Sequence, residues 1–282
     1  MKLRVLCCSV LLSVGSVASA APAQTPREPV APAGWKLVWH DEFDRDGPVD
    51  PTKWNYDVGG DGWGNHELEF YTKERPENAR VENGRLIIEA RREPWHGSAY
   101  TSARLTTKNK GDWPCGRFEI RAKLPLGRGT WPAIWMLPTV WNLGNGGWPD
   151  NGEVDIMEHV GYNPGSVHAS THSRKNQWRN HNQRTAIEQV PDAGTAFHTY
   201  GMEWDAGEIR IFVDDHTYFT SRRDGGDWTS WPFTRDFHLL LNLAVGGDWG
   251  GEKGVDGSCF PQRMEVDYVR VYQRIDQPAP AR

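Results

Sequence analysis

The chain has 282 residues, of which 24% are charged and 38% hydrophobic, with a formal net charge of −5 at pH 7. That length fits one large domain or two small ones, and the acidic balance argues against nucleic acid as a partner and disfavours heavily sulfated polymers. Fifteen Trp are far above ordinary usage; some must be core, but flat indole faces also stack well on sugars, so the composition fits a carbohydrate groove.

Lys2 and Arg4 precede an apolar run from Val5 to Val17 and then Ala18-Ser19-Ala20, the layout of a secretory signal peptide over residues 1–20. The run is too short to cross a bilayer comfortably, and no other stretch of eighteen apolar residues occurs. The expectation is a secreted or periplasmic protein with no membrane partner. Taking Lys2 and Arg4 from the 32 basic residues leaves 30 against 37 acids, a formal net of −7. Cys7 and Cys8 leave with the signal. Cys115 and Cys259 remain, and in an exported chain they are expected to form one disulfide, with two free buried thiols as the alternative.

Residues 21–34, with Pro22, Pro26, Pro29 and Pro32, read as an extended linker. A single domain is expected over 35–273, with a frayed tail over 274–282. Its pattern is short strands, the first from Trp35 to Phe43. Ala79 to Val81 and Arg85 to Ala90 flank Asn83-Gly84, a strong hairpin signal. Phe118, Ile120, Ala122 and Leu124 alternate with Glu119, Arg121 and Lys123, as in a half-buried strand. Further strands are expected at Ala133 to Leu137, Glu153 to Val160, Val167 to His172, His198 to Trp204, Glu208 to Val213, Thr217 to Ser221, His238 to Ala244 and Met264 to Tyr272. No helical period is sustained over twelve residues. The fold class is therefore all-β, a sandwich or barrel.

The chemistry concentrates in Gly152-Glu153-Val154-Asp155-Ile156-Met157-Glu158-His159. Side chains alternate faces along a strand, so Glu153 and Asp155 share a face that Glu158, five residues from Glu153, would miss. One extra residue near Ile156-Met157, a β-bulge, restores the parity, and bulges re-aim side chains beside active sites. All three acids then line one surface. Retaining glycosidases use two carboxyls about 5 Å apart, one as nucleophile and one as acid/base. A solvated edge or a calcium site is the plainer alternative for such an acidic run.

Trp131 and Trp135 share a strand face as core anchors or as a stacking strip. His168 and His172 are also on one face, too far apart along a strand to share an ion, and a histidine holding hydrogen bonds near the acid/base is expected there. His159 should point to the opposite side and be structural. The chain has no Gly-x-Ser-x-Gly elbow, phosphate loop or Cys-x-x-Cys pair.

These residues resemble glycoside hydrolase family 16, specifically its laminarinase-like endo-β-1,3-glucanases, whose bulged motif is Glu-x-Asp-x-x-Glu. Trp39 to Phe43, Gly64 to Leu68, Thr101 to Leu105, Gly116 to Ile120, Trp131 to Pro138, Asn242 to Gly247 and Val266 to Tyr272 look like family landmarks in family order. The resemblance implies a β-jelly-roll sandwich of two antiparallel sheets with a concave cleft. It implies Glu153 as nucleophile, Glu158 as acid/base and Asp155 as the helper between them. Asn65, Arg104, Trp131, Trp135, His172 and Trp249 match cleft-lining positions. Glu42, Gly84 and Asp267 match segments that hold a structural calcium on the convex side, partly through backbone oxygens; no cofactor is implied for catalysis. Ala103 before Arg104 and His66 after Asn65 depart from the family pattern. The expected activity is double-displacement cleavage of β-1,3-glucan by a monomer. The alternatives are mixed-linkage glucan, agarose, carrageenan or porphyran as substrate, or a noncatalytic β-glucan-binding protein.

Overall fold

The computed structural model describes residues 29–276. The segment expected to be a signal peptide, 1–20, and parts of the expected linker and tail lie outside the described residues. In chain order the strands are β1 (Trp35–Asp41), β2 (Asn55–Asp57), β3 (Glu69–Tyr71), β4 (Ala79–Val81), β5 (Leu86–Trp95), β6 (Ser98–Ser102), β7 (Arg104–Thr106), β8 (Asp112–Trp113) and β9 (Gly116–Lys123). There follow β10 (Thr130–Pro138), β11 (Glu153–His159), β12 (Ser166–His172), β13 (Arg184–Gln189), β14 (His198–Trp204), β15 (Glu208–Val213), β16 (His216–Arg222), β17 (Phe237–Val245) and β18 (Gln262–Arg274). A single 3₁₀ turn, Trp178–Asn180, is the helical element among the described residues.

Two sheets face each other. One runs β16-β15-β14-β9-β18-β5-β6-β3, with β1 on β18 and β4 on β5; the other runs β13-β12-β11-β10-β17-β7-β2, with β8 on β17. Pairing is antiparallel except between β3 and β6, which run parallel. The all-β sandwich expected from the strand pattern is what forms.

The alternation in β9 shows why. Phe118, Ile120 and Ala122 are fully buried between the sheets, while Arg117, Arg121 and Lys123 face outward. A one-residue slip would exchange these faces and expose Phe118 and Ile120, at a cost of about 2 kcal/mol each. Opposite them, Ile134, Met136, Val154, Ile156, Met157, Val167 and Ala169 supply the inner face of the second sheet. Its central strand β17 is buried at all nine positions, because its outer side chains lie on the floor of a trough. The Asn83-Gly84 hairpin is present, with φ of 54° and 70° and Glu82 N–H bonded to Arg85 C=O. One boundary moves: β18 continues through Arg274, paired with Trp35, so the strand runs one residue past the expected end of the domain.

The disulfide does not form. Cys115 and Cys259 are both free thiols. Cys115 adjoins Gly116 at the start of β9, whereas the Sγ of Cys259 lies beside Gly127, past the other end of that strand. An eight-residue strand separates them, far beyond the reach of a disulfide.

Candidate active site

The acidic strand β11 carries the expected bulge. Asp155 is opposite Ser170 and Glu158 opposite His168, so Ile156 and Met157 together face the single residue Ala169. Both of these apolar residues are fully buried, and their burial on the core side is what turns Glu158 back to the face of Glu153 and Asp155. On the other flank Trp135 pairs with Asp155 and Ala133 with Glu158. The three acids thus sit mid-sheet, on the floor of the trough.

Indole N–H groups aim two of them. Trp148 Nε1 donates to Glu153 Oε2 at 2.9 Å, and Trp131 Nε1 donates to Glu158 Oε1 at 3.0 Å. His172 Nε2 lies 3.1 Å from Asp155 Oδ2 and 3.9 Å from Glu153 Oε1. The shorter approach lacks hydrogen-bond alignment, so it acts as an electrostatic contact. Donor atoms of Glu153, Asp155 and His172 all lie within 4.8 Å of one another, close enough to grip a cation as well as to share a proton.

Burial and mutual repulsion raise all three acids. Burial, then the Asp155 charge, pushes Glu153 up to about 8, against the opposing pull of His172 and Trp148. Burial raises Asp155 to about 7, and its hydrogen bond with Glu153 draws it back down. Glu158 is lifted well above the carboxylate range by burial and then by Asp155 and Glu153. The first proton therefore leaves the Glu153–Asp155 pair, and Glu158 keeps its own longest.

The expected cleft residues converge here. Arg104, on β7, has its guanidinium 4.7 Å from the ring centroids of both Trp63 and Trp135, with Nε 2.9 Å from Asp57 Oδ2. Trp135 Nε1 bonds Asn242 Oδ1 at 2.7 Å. Trp249 is edge-on to Trp131 at 5.6 Å and to His168 at 4.8 Å. Asn65, on the rim, bonds Glu67 through Nδ2 and accepts Asp248 N–H at its carbonyl. His172 lies against Asp155 and Glu153 rather than the acid/base, and without the expected hydrogen bond, while His168 is the cross-strand neighbour of Glu158. His159 is structural, as expected: its ring is buried on the core side without a hydrogen-bond partner, and burial holds its pKa at about 4.

Several site residues were not singled out from the sequence. Trp148 lies in the Gly- and Trp-rich loop before β11, and its spacing of five from Glu153 was the available signal. Trp63, Tyr71, Glu67 and Asn242 form the far wall: Asn242 Nδ2 donates to the Tyr71 hydroxyl, which donates to Glu67 Oε2. Tryptophans also fill the core, at Trp54, Trp113, Trp204 and Trp231, while Trp131 and Trp148 contact the acids.

Glu42, Gly84 and Asp267 lie together on the convex sheet. Asp41 pairs with Val269 and Val266 with Leu86, which brings the three segments side by side. Arg270 holds both carboxylate oxygens of Glu42, at 2.9 and 2.7 Å, and Arg121 holds Asp267 Oδ2 at 2.6 Å. The Glu42 side chain, held on both oxygens by Arg270, therefore does not fit as a cation ligand.

Hydrolysis of a glycosidic bond with retention asks for two carboxyl groups flanking the scissile bond, one giving a proton to the leaving oxygen and one engaging the anomeric carbon from the opposite face. Trp131 and Trp148 point such a pair into an open, aromatic trough, which defines the class as glycoside hydrolase. Residues 66–270 match the family model described as glycosyl hydrolases family 16. A β-glucanase of Rhodothermus marinus is 56% identical over 247 residues, covering 86% of each chain. The X-ray structure of the laminarinase from Rhodothermus marinus superposes with a TM-score of 0.85 at 55% identity, covering 86% of this chain and 98% of that one. A glucan endo-1,3-β-glucosidase of Cryptopygus antarcticus is 38% identical, covering 85% of this chain and 93% of the relative. The chain belongs to glycosyl hydrolases family 16.

Proposed function

We propose that the protein is an exported, retaining endo-β-1,3-glucanase that acts as a monomer on laminarin-like polymers. The observation that carries the mechanism is the bulge that puts Glu153, Asp155 and Glu158 on one face with separate indole donors. Glu158 keeps its proton and gives it to the glycosidic oxygen as the carboxylate of Glu153 attacks the anomeric carbon. The bond to the leaving sugar breaks and a glycosyl-enzyme ester forms. Glu158 then takes a proton from water, which attacks the same carbon from the other side and releases Glu153. Asp155 shares a proton with Glu153, so that Glu153 is a carboxylate when it attacks and again when hydrolysis frees it. The β-1,3 preference is supported by the names of the relatives, laminarinase and glucan endo-1,3-β-glucosidase. The broader name β-glucanase keeps mixed-linkage glucan as the second substrate.

A panel of laminarin, curdlan, lichenan, agarose and carrageenan, with product sizes and proton NMR of the first-formed anomer, tests this reading. Laminarin should give short oligosaccharides whose new reducing ends appear first as the β anomer. Release of the α anomer first, or cleavage confined to the galactans, would sink it. Export rests on the charged start, apolar run and small-residue site of residues 1–20.

A structural calcium is also proposed for the convex side, held by main-chain oxygens around Glu42, Gly84 and Asp267. A hard cation suits such oxygen donors, and when bound it would tie the start of the domain to β5 and β18. Chelation should then lower Tm by several degrees, with recovery on adding Ca²⁺ and retention of the trough geometry. A Tm indifferent to chelator and Ca²⁺ would remove the proposal.

A further inference from the structure

β2 is the outer strand of the trough sheet on the side of Arg104, so a chain lying across the strands leaves the trough over the segment that follows β2. Past that segment lies an open groove of ≈480 Å³ whose walls include Val58, Phe70, Thr72, Arg75, Trp95 and His96. We propose that this groove is a second sugar-binding site, which takes the distal part of the same neutral glucan chain whose middle lies over Glu153 and Glu158. The proposal rests on the β-glucanase reading of the trough.

The groove and the trough share a wall. Asp57 contacts Arg104 in the trough, and the next residue, Val58, is 49% exposed at the groove. Gly59 then exchanges both backbone hydrogen bonds with Tyr71, at 3.2 and 2.8 Å, and accepts Trp63 Nε1 at 3.3 Å. One pinned segment thus divides the two sites without a gap.

The groove is also built to stay open with its rings fixed. His96 and Gly97 form the two-residue turn between β5 and β6, with φ of 47° and 91°. A left-handed backbone is unusual for His and costs on the order of 1 kcal/mol. In that conformation the imidazole stacks on Phe70 at 5.1 Å and 29°, and meets Trp95 edge-on at 5.6 Å. Arg75 lies 4.7 Å from the Trp95 centroid and is itself locked by Glu93, at 2.5 and 3.2 Å, and by Asn78 at 2.9 Å. Such preorganised rings, bordered by fixed polar groups, bind without paying an ordering cost. Lys73 and Arg75 are balanced by Glu74 and Glu93, so the groove offers no field to a polyanion and suits an uncharged polymer.

Two variants test it. His96→Gly removes the ring at a φ that glycine adopts freely, and Trp95→Ala removes the second ring. Each is compared with wild type by migration through native gels containing laminarin, and by kcat/KM on laminarin and on laminaritetraose. The expected result is weaker retardation and a roughly 5- to 10-fold lower kcat/KM on the polymer, about 1 kcal/mol, with the tetraose unchanged. Unchanged behaviour on the polymer, or equal losses on both substrates, would overturn the groove. Wild-type enzyme that fails to cut the tetraose and laminarin alike would instead overturn the reading of the trough, and with it this occupant.

Discussion

Replacing Glu153 or Glu158 with Gln lowers turnover on β-glucan by about 10³-fold while leaving the sandwich folded. Gln is close in size to Glu, and its amide oxygen still accepts the N–H of Trp148 or Trp131, so the loss is one of chemistry rather than of packing. The two roles separate when leaving-group demand is changed. An aryl glycoside with an acidic phenol needs no proton from Glu158, so Glu158→Ala should form its glycosyl-enzyme at a near-normal rate and stall at hydrolysis. Azide then completes the second displacement and gives a β-glycosyl azide. In Glu153→Ala the azide fills the cavity of the missing nucleophile and gives the α-glycosyl azide by a single displacement. Identical azide products from the two variants, or near-normal turnover in either Gln variant, would remove the assignment. The wild-type pH profile should be bell-shaped: activity rises as the Glu153–Asp155 pair loses its first proton and falls as Glu158 loses its own.

The parity of β11 made the bulge legible before any coordinates, because two adjacent apolar residues between acids can both be buried only if the strand breaks its alternation. The longer strands were legible for the same reason: β9 and β18 each bury one face, and their alternation records it. The strands that escaped were short or lacked contrast. β2, β3, β7 and β8 have two or three residues each, too few for a period, and β6 owes its place to β3 and the hairpin from β5. β13 is a largely exposed edge whose only large apolar side chain, Ile187, is 56% exposed. Within the site, residues on β10 to β12 could be aligned by register alone. The Trp63–Arg104–Trp135 stack and the Trp148 bond to Glu153 could not, since they depend on how loops fold back over the sheet. The convex carboxylates show the opposite failure. Glu42 and Asp267 are placed together as expected, but sequence distance concealed Arg270 and Arg121 as their partners.

Glu158→Gln is expected to raise thermal stability, and to raise it more at pH 8 than at pH 5. The sign follows from the direction of the shifts. Glu153 and Glu158 have folded-state pKa values above those of the unfolded chain, so the folded state holds protons that the unfolded state releases. Their contribution is intact below about pH 4.5, the unfolded carboxyl range, and is lost as pH rises through the folded values, near 8 for Glu153. Above that window the fold carries neighbouring charges in a poorly hydrated floor. Wild-type folding at pH 8 must hold a Glu158 proton that the unfolded chain releases, a cost that a neutral Gln does not carry, and Gln keeps the hydrogen bond from Trp131. Glu158 keeps some exposure to the open trough, and water there moderates the effect, so a gain of about 2 kcal/mol, roughly 5 °C, is expected at pH 8. Little gain is expected at pH 5, where wild-type Glu158 is already protonated. His159 acts on the other limb: its pKa is held at about 4, so its burial costs stability as pH falls below 6.5, equally in wild type and variant. Melting curves of both proteins at pH 5 and pH 8 decide the matter. A gain of the same size at both values would trace to packing, and a loss at pH 8 would mean that the Glu158 charge is favourable to the fold, contrary to the burial that places it beside Glu153 and Asp155.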